Sequence, residues 1–438
     1  MQASQELDTI PAILRNNADQ SGDSTALIYN YNKITYGTLH KLVLNASCGL
    51  SKLGIKSGDR VAFWLPNTPA YIVLYLACMQ LNAIAVAVNT RFKGSEVADI
   101  VSRSGAKCII FWPLFKKANF LGVLNSVADA AFNKIESVII YDEEENDLKS
   151  NSLLPNSFYS KKVTTYLELI DHSGAEIDHS QPDAGCNIFT TSGTTKAPKF
   201  VLHSHRSISI HAAEVWRNLE PLIKSNAFFH TLPFCGVFGF NHFSAALSGA
   251  RPNVIQSAFS AREAIDLIDR HKVQYISATD DMLLALLEAD GRNPALPSLT
   301  CCGYGAFNLP PEEITLRANA RGIKLVGLYG MSEVQALFAR QEHTQEDKHR
   351  YLPGGKLISP NARVRARNPE SKEILPHGQS GELEFKGPSL LIKYFKNEGA
   401  TKDLISNDGY LKSGDLGYTC SKSEFVFQAR MGDTLRLG

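Results

Sequence analysis

Residues 260–305 read SAREAIDLIDRHKVQYISATDDMLLALLEADGRNPALPSLTCCGYG, and their alternation decides the fold class. Ser260-Ala261-Arg262-Glu263 has the form of a capping box, and Ile265, Leu267 and Ile268 mark the apolar face of the helix it opens. Residues 273–277 then read as a strand, 281–288 as a helix and 299–302 as the next strand. Just beyond, Pro310 and Pro311 open a helix that Gly322 closes, and 323–328 return as a strand. Strand and helix in turn predict an α/β protein with doubly wound, mainly parallel sheets and helices on both faces. In such sheets ligands gather at the carboxyl ends of the strands.

Outward from this stretch the same grammar continues. Ser95 is placed to cap a helix running to Ser104, Gly105 stops it, and 108–111 read as a strand. The longest apolar run, 71–88, is broken by Gln80 and Asn82, so it reads as a buried helix and strand, not a membrane span. Residues 142–162 are acidic, then polar, and read as an exposed excursion. After Glu346 the pattern changes to short strands between turns, at 364–366, 381–385, 390–393 and 425–427. The expected organisation is an α/β subdomain over 1–183, a second over 184–346 and a small β-barrel-like subdomain over 347–430.

The bulk composition excludes several classes of function. Among 438 residues, 45 Lys and Arg nearly balance 44 Asp and Glu, so no global field draws the chain to nucleic acid or an acidic membrane. Eight cysteines are scattered, with only Cys301-Cys302 adjacent and no CxxC pair, which argues against a disulfide framework or zinc site and for a reducing, cytoplasmic setting. Glu6 and Asp8 stand where a signal peptide would carry basic residues. His203 and His205 alternate as metal ligands can, but no third ligand is near them in sequence.

An anion site must therefore be local, and Thr191-Ser192-Gly193-Thr194-Thr195-Lys196-Ala197-Pro198-Lys199 offers one. These nine residues carry four hydroxyls, two lysines and no carboxylate, a composition suited to wrapping phosphate oxygens. Apolar 187–189 and 200–202 read as flanking strands, and the Gly-Lys-Ser/Thr ending of a Walker A loop is missing. Tyr329-Gly330-Met331-Ser332-Glu333 adds a ring able to stack on a base, a hydroxyl for phosphate and a carboxylate for magnesium. Asp415, in Ser413-Gly414-Asp415, can accept hydrogen bonds from ribose hydroxyls, and Arg430 supplies a planar donor fork. Each alone has a structural reading; together they supply what one ATP molecule needs.

In these motifs the chain resembles the adenylate-forming enzymes: acyl-CoA synthetases, peptide-synthetase adenylation domains and beetle luciferases. The family's TSGTTGxPKG resembles Thr191 to Phe200, its YGxTE Tyr329 to Glu333, its TGD Ser413 to Asp415, and its GRxKDxI Ala429 to Leu435. Gly305-Ala306 echoes the adenine-lining GGAP segment, Gly381-Glu382-Leu383 the GEL motif, and Gly58-Asp59-Arg60-Val61-Ala62 the family's GDRVA. The resemblance implies ATP, Mg2+ and coenzyme A as partners in a two-step reaction. A carboxylate attacks the α-phosphate of ATP, giving an acyl-adenylate and pyrophosphate, and a thiol then takes the acyl group. It assigns catalytic roles to Thr191, Lys199 and Glu333, with Glu333 also holding magnesium. Nucleotide contacts would come from Thr191, Ser192, Gly193, Thr194, Thr195, Lys199, Gly305, Ala306, Tyr329, Gly330, Ser332, Asp415 and Arg430.

Departures from the pattern are informative. Lys196 and Phe200 replace glycines of the phosphate loop, and Ala429 and Gly432 replace the glycine and lysine of GRxKD. Gly236 stands where many relatives have a gating histidine or aromatic residue, which implies an open gate or a longer pocket. The sequence stops at Gly438, so 431–438 would be the hinge and the smaller C-terminal domain is not part of the chain given. No acid lies within 234–241, which argues against an α-amino acid substrate, and the local phenylalanines favour a hydrophobic or aryl carboxylic acid. Phe234, Gly236, Phe238, Gly303 and Gln335 are the expected pocket residues. A carrier protein in place of coenzyme A, and a non-catalytic nucleotide-binding homologue, stand as alternatives.

Overall fold

The computed structural model describes residues 7–143, 158, 160–173, 177–191, 198–223, 227–305, 307 and 310–431. The chain divides into two units, and neither is a single segment of sequence. The first comprises 1–209 with 233–236 and 392–396, and the second 210–232, 237–391 and 397–438.

In the first unit, strands β1 (Arg60–Trp64), β2 (Ile84–Ala87), β3 (Cys108–Phe111), β4 (Ser137–Ile140), β5 (Lys162–Thr165), β6 (Gly185–Thr190) and β7 (Phe200–Ser204) join a short strand, Lys393–Tyr394, in an eight-stranded sheet. Its order is Lys393–Tyr394, β7, β6, β2, β1, β3, β4, β5. All pairs from β6 to β5 are parallel, while β7 runs antiparallel to both its neighbours. The chain leaves β1 to one side for β2 and crosses to the other for β3, which makes the sheet doubly wound. Helix α1 (Pro69–Gln80) starts with proline at its first position, and the Thr68 hydroxyl accepts from the Tyr71 amide. Every residue from Ala70 to Gln80 is buried, so the longest apolar run of the sequence is a core helix. No helix among the described residues is long and apolar enough to cross a membrane.

Helix α2 (Gly94–Ser104) begins two residues earlier than the sequence suggests. Lys93 is its cap, with its amide donating to Glu96 Oε2, and Ser95 lies inside the first turn. Gly105 ends it at a φ of 67°. The last carbonyls of α2 are taken by Arg60, whose Nε donates to Ser104 O at 3.1 Å and Nη2 to Gly105 O at 2.9 Å. The GDRVA arginine thus joins β1 to α2.

The chain crosses to the second unit within α3 (His205–Ile223), which is followed by α4 (Val237–Ser248) and α5 (Ala261–Arg270). Ser260 does cap α5, but its side chain makes no capping bond, so the expected capping box is not formed. Strands β8 (Tyr275–Thr279), β9 (Cys301–Gly305) and β10 (Leu325–Met331) are parallel, linked by α6 (Asp280–Ala289) and α7 (Pro311–Ala320). From β10 the chain returns antiparallel as β11 (Gln335–Arg340), then adds β12 (Gly354–Leu357), β13 (Arg363–Arg367), β14 (Gly381–Lys386), β15 (Leu411–Ser421) and β16 (Glu424–Arg430). All nine strands form one sheet, ordered β8, β9, β10, β11, β12, β16, β15, β14, β13. The strands expected to close a small barrel instead extend the parallel sheet. The reason is the tight turn at 332–334, which lays β11 along the free edge of β10 and offers a new edge for the rest. The expected boundaries shift too: β6 and β7, placed beyond 183 in a second subdomain, complete the first unit's sheet. Sequence order hides this because both strands pair with partners far away in the chain.

Several histidines are buried. Burial lowers the pKa of His205, His211 and His230 from 6.5 to about 4 and drives that of His242 well below 6.5. Folding therefore favours the neutral rings. Their contribution is complete above the unfolded value near 6.5 and is lost as pH falls toward 4. Each such ring adds up to about 1.4 kcal/mol of destabilisation per pH unit across that window. The thermal midpoint should fall by many degrees between pH 7 and pH 5, and His230→Gln should flatten the slope. Equal midpoints at the two pH values would contradict the assignment.

Candidate active site

Strand ends carry candidate site residues in each unit. In the first unit, β6 runs parallel to β2, so the hydroxyl-rich loop leaves from a carboxyl end of the sheet. Two hydrogen bonds close its neck. The Thr191 amide donates to Lys199 O at 3.1 Å, and the Lys199 amide donates to Thr191 Oγ1 at 3.2 Å. Ser192, Gly193, Thr194, Thr195 and Lys196 lie outside the described residues. Lys199 places its ammonium 4.6 Å from the centre of the Tyr394 ring. Arg103 on α2 donates to Pro198 O at 2.8 Å, and its guanidinium lies 4.4 Å from the Phe200 ring centre. Sequence reading missed Arg103 and Tyr394, since only tertiary packing brings them to the loop. Phe200, which replaces the motif's last glycine, is 2 % exposed and fills a core position.

In the second unit the carboxyl ends of β8, β9 and β10 carry the remaining residues. Tyr329 does not present an open face for stacking. Its ring is buried against Phe385, Phe425 and Phe427 at centroid distances of 5.3, 5.0 and 5.8 Å. Its hydroxyl donates to Asp415 Oδ2 at 2.6 Å. Arg430, the register partner of Asp415 across β15 and β16, donates to Asp415 Oδ1 at 2.6 Å. Burial first, then the Asp415 charge, raise the Tyr329 pKa well above 10, so the phenol stays a donor. Burial opposes the Arg430 charge, but Asp415 overcomes it with a smaller contribution from Glu333, and the pKa is raised. Asp415 is thereby held rigidly on two sides, with a lone pair left on each oxygen.

Glu333, 6 % exposed, sits with Ser332 in the turn between β10 and β11, and its carbonyl accepts from the Leu391 amide at 2.8 Å. Gly330 is needed there, because a Cβ would collide with Ala336 and Gln335 of the returning strand. Gln335 and Leu337 adopt φ of 70° and 60°. Such left-handed backbone costs roughly 1–2 kcal/mol per residue and needs support. Asn241 on α4 supplies it, donating to Gln335 Oε1 at 2.7 Å and accepting from the Ala336 amide at 2.8 Å. His211 on α3 donates from Nε2 to Ala336 O at 2.7 Å. Asp280, at the end of β8, accepts from the Phe307 amide at 3.0 Å just after Gly305, where Ala306 lies outside the described residues. Asn241, His211 and Asp280 carried no motif signal.

The expected pocket residues are drawn from both units. Phe234 and Gly236 belong to the first unit, where Phe234 packs on Tyr71 at 5.7 Å and its amide donates to Asn67 Oδ1 at 2.8 Å. A Cβ on Gly236 would meet only Pro233 O, at 3.5 Å, so this position has room for a side chain. In the second unit Phe238 packs against the core formed by Phe228, Tyr275, Val326 and Leu328. Gln335 is fully buried, with its amide also reaching Ser389 O at 3.4 Å. At Gly303 the Tyr275 side chain occupies the space a Cβ would need. Gly303→Ala should therefore destabilise the protein by about 1–3 kcal/mol, the usual cost of overpacking. Tyr275→Phe, which removes the hydroxyl nearest that methyl, should recover part of the loss in a thermal-shift double-mutant cycle; strict additivity would argue against the contact.

Comparison with known proteins fits this arrangement. The family model described as AMP-binding enzyme matches residues 14–395. A probable CoA ligase of Humulus lupulus, CCL5, is 27% identical over 399 residues, covering 90% of this chain and 69% of its own length. 4-Coumarate–CoA ligase 2 of Nicotiana tabacum is 26% identical over 436 residues, covering 96% of this chain and 75% of its own. Among solved structures, the o-succinylbenzoate coenzyme A synthetase of Bacillus subtilis in complex with AMP is similar with a TM-score of 0.78 at 22% identity, covering 96% of this chain and 79% of that one. The same synthetase is also known with ATP and a magnesium ion, at a TM-score of 0.77. A match that runs through both units, and through the strand ends that carry Thr191, Glu333 and their neighbours, leaves one conclusion: the chain belongs to the AMP-binding enzyme family.

Proposed function

We propose that this chain is the adenylating part of an AMP-forming acid–thiol ligase that activates a hydrophobic or aryl carboxylic acid and passes it to coenzyme A. The observation that carries the reading is the buried carboxylate of Asp415, gripped by Tyr329 and Arg430 with free lone pairs at the strand ends. Such a carboxylate suits a pair of vicinal hydroxyls, as on ribose, because its acceptors are fixed before the ligand arrives. Curated relatives named as CoA ligases support the acceptor, and free cysteines throughout support a reducing, cytoplasmic setting.

In this reading Thr191 and Lys199, with Ser192 to Thr195 between them, hold the β- and γ-phosphates, and Ser332 donates to the α-phosphate. Gly305, Ala306 and Gly330 flank the adenine without side-chain bulk. Tyr329 positions Asp415 and Arg430, while Asp415 binds ribose. Glu333 fits magnesium as its one protein carboxylate, since that ion prefers one or two carboxylates with phosphate oxygens and water. The metal would neutralise charge on the phosphates. The substrate carboxylate oxygen forms a bond to the α-phosphorus as the bond to the pyrophosphate oxygen breaks, and fixed donors at the loop receive the charge of the leaving group. The thiolate of coenzyme A then attacks the acyl carbon and AMP departs. Gly236, with open space at its Cβ position, is the residue we assign to the acyl group.

Incubating the protein with Mg-ATP and a pool of fatty, aryl and amino acids, followed by native mass spectrometry, should retain an acyl-adenylate and identify its acid. Asp415→Ala should weaken nucleotide binding about tenfold or more, the scale of losing a fixed charged hydrogen-bond pair. Nucleotide bound equally by the wild type and this variant would sink the assignment of the ribose site.

A further inference from the structure

A second polar site lies in the second unit, at the far end of β11. Arg340 closes that strand five residues after Gln335, roughly 17 Å along it, and no residue of the nucleotide set takes part. A cleft of about 370 Å³ opens there, with Asn218, Arg340, Glu342, His343, Thr344 and Lys356 on its polar side. Leu357, Ile358 and Pro360 give it an apolar floor.

Arg340 is the key group. Only 9 % exposed, it donates from Nε to Asn218 Oδ1 at 2.8 Å and from Nη2 to Asn218 O at 3.3 Å. Its Nη1 is buried with no hydrogen-bond partner, and no carboxylate pairs with the guanidinium among the described residues. A buried guanidinium without a counter-ion is unfavourable, so an anion in the adjoining cleft would offset its charge at short range. Lys356 makes the imbalance worse. It is the register partner of Arg340 across β11 and β12, and like charges directly opposite on a sheet repel. Glu342 reaches Lys356 at 3.6 Å, but both side chains are more than half exposed, so this pair is screened and leaves Arg340 untouched. Asn218, whose Oδ1 serves Arg340, keeps its amide donors, and Thr344 adds a hydroxyl.

We infer that this cleft binds a phosphate monoester, its phosphate between Arg340, His343 and Lys356 and its organic part over Leu357 and Ile358. Three donor-bearing groups converge from β11, β12 and the segment after β11, which suits three phosphate oxygens better than the two of a carboxylate. Arg340 and Lys356 outweigh the single acid, Glu342, and a proton on His343 would bring the local charge up to match a dianion. Burial, then Arg340 and Lys324, lower the His343 pKa, while Glu342 raises it less. An anion beside these groups would reverse the balance, so binding should draw a proton onto His343 and tighten as pH falls toward 6.

Calorimetry with phenyl phosphate tests this on the full chain. To remove the nucleotide site from the measurement, the titration is run on a Lys199→Ala, Asp415→Ala background. Phenyl phosphate should still bind, more tightly than inorganic phosphate, with proton uptake visible as a dependence on buffer ionisation heat. Lys356→Gln, an exposed position that need not disturb folding, and His343→Gln should each weaken it about five- to tenfold. His343→Gln should also abolish the proton uptake, an effect that a purely structural role would not produce. Loss of binding in the Lys199→Ala, Asp415→Ala background, unchanged affinity in Lys356→Gln and His343→Gln, or benzoate binding as tightly with the same Lys356 dependence would each overturn the inference.

Discussion

Both backbone groups of Ala336 are held by side chains from other elements, and much of the second unit depends on that grip. After β10 the chain must reverse within three residues to bring Glu333 to the strand end. The reversal forces left-handed backbone at Gln335 and Leu337, residues that disfavour it. An irregular ladder leaves the Ala336 amide and carbonyl facing away from β10, where a buried orphan would be costly. Asn241 and His211 meet these groups, one accepting and one donating. The strain is over-determined by buried polar contacts, a pattern common where a site must be pre-organised. Because β12 and β16 to β13 build outward from β11, the same grip sets where Asp415 and Arg430 stand relative to Glu333.

Much of the architecture was legible because its signals are local. Proline at the first turn of α1 and α7, glycine after α2, and apolar runs at β3 and β6 each act over a few residues. What was hidden was pairing. Nothing in 363–430 says that these strands join the edge of β12 instead of curling on themselves. Nothing in 185–204 says that β6 and β7 complete a sheet begun at Arg60. Caps were legible in kind but not in position: Ser260 occupies the cap of α5 without bonding, and Lys93 displaces Ser95 at α2. In both cases a side chain of the right type stands next to a helix end whose place is fixed by tertiary contacts.

The site was legible as a set of residues and less so as a set of roles. Asp415 and Arg430 emerge as partners, which their spacing of fifteen residues could not reveal while the strand that carries Asp415 was unassigned. Tyr329 has the right neighbourhood but a different task, its ring committed to three phenylalanines and its hydroxyl to Asp415. Gly303 and Gln335 read as pocket residues because small and polar groups near a strand end suggest ligand contact. In the fold their smallness and polarity serve Tyr275 and Asn241. Polar residues that answer internal demands look the same in sequence as those that answer a ligand.

The pairing of Asp415 with Arg430 has a mechanical side. Arg430 is the last residue of β16, and just beyond it the Met431 amide donates to Gly414 O at 3.0 Å. Strand ends open at little free-energy cost compared with a sheet interior. A tug on the chain after Met431 would peel this end first, drawing Arg430 from Asp415 and freeing one side of a carboxylate otherwise locked in place. The terminal rung of the sheet thus shares in holding Asp415, so fraying at this end would loosen the carboxylate on its Arg430 side.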